Sequence, residues 1–105
     1  MRTSAVFAAA LFCASGWAAV PPQELAQQSG CMSCHGLVHK QVGPGFAQVA
    51  ARYQGDAEAP ARLAAKIRSG GVGAWGRLLM PRQTQVSEAD AQALACWVLS
   101  QPPVP

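Results

Sequence analysis

Cys31-Met32-Ser33-Cys34-His35 is the stretch on which the reading of this chain turns. It sets two thiols three positions apart and an imidazole directly after the second. On a helical turn, residues three and four apart share a face, so both sulfurs and the ring of His35 point the same way. This C-x-x-C-H pattern is the attachment signature of a c-type haem. Each thiol adds across one vinyl group as a thioether, and His35 stands beneath the iron as its proximal ligand. Two other chemistries use C-x-x-C. A thioredoxin-like pair needs a strand before it and a βαβ unit around it, whereas residues 23–29 contain no β-branched residue and no alternation. A zinc site needs four ligands. Cys31, Cys34, His39 and Cys96 are the available set, but no second paired motif accompanies them. The haem reading prevails.

Upstream of the motif, Met1-Arg2-Thr3 gives a short positive start, followed by an apolar and small-residue run with Gly16 and Ala18 near its end. This is the layout of a secretory signal peptide cut after Ala18. Residues 1–18 are therefore expected to be removed and 19–105 to form one domain, working in the periplasm. The apolar run falls short of the ~20 residues of a membrane span, so no stable membrane insertion is expected after cleavage. Cys13 would leave with the leader. The remaining Cys31, Cys34 and Cys96 are odd in number, which argues against a closed disulfide framework. Cys96 reads as a buried small hydrophobe of the last helix.

The 105 residues leave room for a single domain. Half are hydrophobic and only 12% charged, a composition that excludes a disordered chain. The 8 basic and 5 acidic residues give a net +3. They are scattered without a basic run, so no nucleic-acid partner is indicated. A domain this small usually depends on a staple, metal or cofactor, and here the haem fills that need.

The iron then needs a sixth ligand or an open face. Met32 lies between the two cysteines, and His39 reads as a solvated loop residue. Met80 is far enough from His35 for the chain to wrap round the ring, and Pro81 behind it restricts it to extended conformations. The remainder reads as helices over 22–28, 44–53 and 58–69, with a final helix opened by Ser87-Glu88-Ala89-Asp90 and carrying an apolar stripe of Ala91, Leu94, Ala95, Val98 and Leu99. No strand is expected. Gly71-Val72-Gly73-Ala74-Trp75-Gly76 satisfies G-x-G-x-x-G, but a dinucleotide site requires a strand before the motif and a helix after it. Its glycines read instead as positions of positive φ that let the backbone lie close to the haem edge.

Together these segments resemble a class I cytochrome c of the short bacterial monohaem kind. The similarity runs from about Glu24 to Gln101. It comprises the motif at 31–35, Val-Gly-Pro at 42–44, Val-Ala-Ala-Arg-Tyr at 49–53, Lys-Ile-Arg-Ser-Gly at 66–70, Trp-Gly at 75–76, Met-Pro at 80–81 and Trp-Val-Leu-Ser-Gln at 97–101. The resemblance implies an all-α fold of about four helices wrapped around one covalent haem c. It implies that the Pro44 carbonyl bonds the other nitrogen of His35, that Trp75 meets a haem propionate, and that His35 and Met80 are the iron ligands. The chain departs from its relatives at Arg77-Leu78-Leu79, where prolines are usual, at Gln83, where asparagine is frequent, and at Cys96, where lysine is frequent.

A six-coordinate iron favours one-electron exchange over substrate activation, so the expected function is electron transport between redox proteins rather than catalysis. The alternatives are a dedicated haem subunit of a periplasmic dehydrogenase and a small peroxidase-like haem protein. Lys66, Arg68, Arg77 and Arg82 are candidates to pair with propionates or ring the haem edge. The net positive charge suggests partners with acidic docking patches.

Overall fold

Proline, glutamine, serine and glycine set where the helices begin and end. The computed structural model describes Cys13 and residues 20–105; the leader expected at 1–18, with its cut after Ala18, otherwise lies outside the described residues. Helix α1 is Pro22–Gln28, with proline in its first turn, and the chain leaves it through Gly30 at φ 79°. Cys31–Ser33 forms a tight 3-10 turn. Helix α2, Phe46–Arg52, begins where the Gln48 side chain accepts the Gly45 N–H at 2.8 Å. Helix α3, Ala59–Ser69, carries Pro60 in its first turn and stops at Gly70, φ 65°. There a Cβ would lie 2.5 Å from the Met80 carbonyl oxygen. Helix α4, Glu88–Leu99, is capped by Ser87, whose Oγ accepts the Asp90 N–H at 3.1 Å.

These four helices follow the sequence pattern closely. The second begins two residues later than expected because Gly45 remains extended, φ −66° and ψ 149°. Ala91, Leu94 and Ala95 of α4 pack with Leu25 and Ala26 of α1, Ala64 of α3 and Val86. Val98 continues the stripe against Phe46 and Val49 of α2. Cys31 and Met32 lie against both groups, joining the motif to the core. The core is dominated by alanine, and among the described residues no large side chain is completely buried. Each alanine removes little apolar surface from water, so the helices alone bury less than larger side chains would.

Two features correct the sequence reading. Gly71–Gly73 and Gly76–Met80 form an antiparallel hairpin, β1 and β2, with Gly71 opposite Met80 and Gly73 opposite Gly76. Three of its glycines hold φ of 135°, 113° and 96°, values that accommodate an irregular register and tight turn. Glycine-rich composition is what hid the strands, since it lowers strand propensity and erases alternation. The architecture remains mostly helical. Secondly, Cys96 is half-buried rather than buried and is joined to Cys13 by a disulfide. It follows Ala95 on α4, one position off the buried stripe, where a thiol from outside the core can reach it.

Candidate functional site

The haem-attachment motif, the loop that follows it, α2, α3 and the hairpin surround one cleft of about 610 Å³. Cys31 and Cys34 line it as unpaired, half-buried thiols. The 3-10 turn is closed by the Cys34 N–H and His35 N–H, which both donate to the Cys31 carbonyl at 3.1 and 2.9 Å. Burial pushes the Cys31 thiol pKa up, so the free chain carries it as the neutral thiol at neutral pH.

After His35 the chain folds back on the motif. Val42 and Gly43 donate their N–H groups to the Cys34 carbonyl at 3.1 and 2.8 Å. This brings the Pro44 carbonyl to His35, where Nδ1–H donates to it at 2.7 Å. A carbonyl can only accept, so the bond fixes the tautomer and leaves the Nε2 lone pair for a metal. Two further groups fix the ring plane. Phe46 stacks on it with centroids 5.1 Å apart and planes 23° from parallel. At Gly43 a Cβ would lie 2.8 Å from His35 Cε1, so only glycine lets the loop pass this close.

Met80 is half-buried at the end of β2 and lines the same cleft as His35, as do Pro44 and Trp75. The structure thus brings together all six residues singled out from the sequence. Trp75 sits in the hairpin turn, 38% exposed, with the Arg52 guanidinium 4.2 Å from its ring centroid. Lys66 also lines the cleft, whereas His39 and Met32 do not. Arg77 and Arg82 are exposed and lie outside the lining. Arg68 is occupied elsewhere, its Nε donating to the Val86 carbonyl at 3.1 Å. The Gln83 amide is likewise engaged, with Nε2 donating to the Pro81 carbonyl and Oε1 accepting from Gln85.

Sequence reasoning passed over Gly43, the stacking role of Phe46, and Arg52. Gly43 stood in the Val-Gly-Pro segment, and Phe46 lay within the helix expected over 44–53. Arg52 meets the Ala74 carbonyl 22 residues away, a proximity without any local signal.

The donor set fits a covalently held haem. Two unpaired thiols and an imidazole with one committed nitrogen face a cleft that also contains a thioether donor. Val72, Leu78 and Leu79 in its lining are exposed apolar side chains of a kind that a hydrophobic ring would cover. Among the described residues, no three of His, Cys, Asp and Glu converge as a metal site would require, which leaves the zinc reading without its ligands.

Comparison with known proteins agrees. The cytochrome c family model matches residues 19–102. Cytochrome c-551 of Allochromatium vinosum is 51% identical over 75 residues, covering 71% of this chain and 80% of the relative. Cytochrome c-552 of Hydrogenobacter thermophilus is 50% identical over 78 residues, covering 74% and 79%. The crystal structure of wild-type Nitrosomonas europaea cytochrome c552 superposes with a TM-score of 0.73 at 42% identity, over 75% of this chain and 98% of that one. The chain belongs to the cytochrome c family, whose members carry one covalently attached haem c, and its homologues are small electron-transfer proteins rather than enzymes.

Proposed function

We propose that this chain is an exported, periplasmic carrier of single electrons. Its processed form spans 19–105, which lacks Cys13, so the Cys13–Cys96 bond belongs to the unprocessed chain alone; Cys31 and Cys34 are the haem tethers and His35 and Met80 the iron ligands. The observation that carries this reading is the shared cleft. His35, its Nδ1 already committed to Pro44, and Met80, from the far end of a hairpin, both line it. Bound haem supplies the one-electron iron couple. The chain supplies the rest. The Pro44 carbonyl holds the imidazole in one tautomer and strengthens its free nitrogen as a donor. The Met80 thioether favours the reduced state relative to a second histidine. Trp75, in the hairpin turn, is the group that would meet a propionate. The helices and the hairpin together would wall the haem's cleft, and the exposed hairpin is the part of that wall open to a protein partner. The leader-like run at 1–18 supports export, and the excess of basic residues supports partners with acidic docking patches.

The visible spectrum of the ferric holoprotein tests the ligand set. It should show the weak sulfur-to-iron charge-transfer band at the red end, and Met80→Ala should abolish it, lower the reduction potential and open the iron to cyanide. A high-spin ferric wild type at neutral pH would mean an open sixth site and would replace the carrier by a peroxidase-like or gas-binding protein.

A further inference from the structure

Without haem every residue from Val72 to Leu79 is exposed, so contacts with the rest of the chain bury little of the hairpin that ends in Met80. Its base is secured to α3. Gly70 N–H donates to the Lys66 carbonyl at 2.7 Å, and Gln83 N–H donates to the Ile67 carbonyl at 3.2 Å. Its tip, Ala74-Trp75, reaches across to the last residue of α2. There Arg52 Nη1 donates to the Ala74 carbonyl at 2.5 Å, while the same guanidinium lies over the Trp75 ring, 4.2 Å from its centroid. Among the described residues, this is the one side-chain hydrogen bond made to the hairpin between 71 and 79. Phe46 and Val49 of α2 and Val72, Trp75 and Met80 of the hairpin line the same cleft, so the clasp ties two of its walls together. Without the clasp the strap is soft. Gly70, Gly71, Gly73 and Gly76 all hold positive φ, and glycine puts little restraint on neighbouring conformations.

We propose that Arg52 is a positioning residue that latches the hairpin tip. In doing so it holds the Met80 strand against the cleft and limits excursions in which the sixth ligand leaves the iron. The proposal rests on the reading of Met80 as that ligand. The chemistry of arginine suits the task, because one planar group stacks on an indole face and donates in its own plane at the same time. Stacking uses the face of Trp75 and leaves its N–H edge available to an acceptor. Lysine keeps the charge but cannot make both contacts in that geometry.

The test compares ferric wild-type, Arg52→Ala and Arg52→Lys holoproteins for the rate of imidazole binding, imidazole being chosen to reduce the influence of the lost charge on ligand approach. Global unfolding by denaturant is measured alongside. Both variants should bind imidazole faster, Arg52→Ala by about tenfold, and should bleach the thioether–iron band at lower pH, with the global unfolding midpoint little changed. Binding rates within twofold of wild type would overturn the proposal. So would a faster rate matched by an equal loss of global stability, which would make Arg52 a general structural residue. A wild type lacking the thioether–iron band would instead refute the Met80 assignment, before any variant is compared.

Discussion

His35 has little freedom left before any metal arrives. Its Nδ1 is tied to the Pro44 carbonyl, one face is covered by Phe46, and Gly43 backbone passes along its edge. The role of Pro44 was legible because Val-Gly-Pro resembles a known family pattern. The role of Gly43 was not, since only the folded loop shows how closely it approaches the ring. Gly43→Ala should therefore be costly: its Cβ would sit 2.8 Å from Cε1, and the ring cannot move aside without stretching the Pro44 bond. We expect a loss of about 1–3 kcal/mol in denaturant unfolding of the holoprotein, with a changed reduction potential as the imidazole tilts. An unchanged midpoint and potential would mean that the ring has room to yield.

At the scale of elements, helix starts were easier to read than the hairpin. Ser87 announces α4 through a side chain that bonds a backbone group three residues on, which is a local event. The entry to α3 is also local. Asp56 Oδ1 accepts the Glu58 N–H at 2.9 Å, and Arg62 pairs with the other carboxylate oxygen. The Glu58 N–H first, and Arg62 after it, hold the Asp56 carboxyl below the usual range. A carboxyl with a depressed folded pKa stabilises the fold above its unfolded value, about 3.9, and loses that contribution as pH falls through the folded value. Asp56→Asn should thus melt lower than wild type at neutral pH and converge with it in acid, as thermal unfolding from pH 2 to 7 would reveal. A constant gap across that range would show that the charge plays no part. The ion pair is exposed, so the effect should be small. The hairpin, by contrast, had no local signature, because three of the six residues from Gly71 to Gly76 are glycines, and its pairing depends on where α3 delivers the chain.

For the molecule as a whole, the processing proposed above would keep all 5 acidic residues and remove only Arg2 among the 8 basic ones. Lys66 lies at the cleft, and Arg52, Arg77 and Arg82 are exposed nearby in sequence or space. Long-range attraction should then assist encounter with an acidic partner. Electron-transfer rates with such a partner should fall between 0.01 and 0.1 M salt, as the Debye length shrinks from about 30 Å to about 10 Å. Stopped-flow kinetics over that range would check this, and a flat dependence would indicate apolar docking around the cleft instead.

The sequence by itself determined the cofactor chemistry and the helical class, and it singled out six of the residues that line the cleft. Motif spacing, helix periodicity and capping are written in neighbouring residues, and each has a short-range physical cause. Tertiary structure alone decided the hairpin, the Cys13–Cys96 bond, the wedge of Gly43 against His35 and the Arg52 clasp on Trp75. Each of these joins groups that become neighbours only when the helices pack and the loops between them close, and no local propensity encodes a distance of that kind.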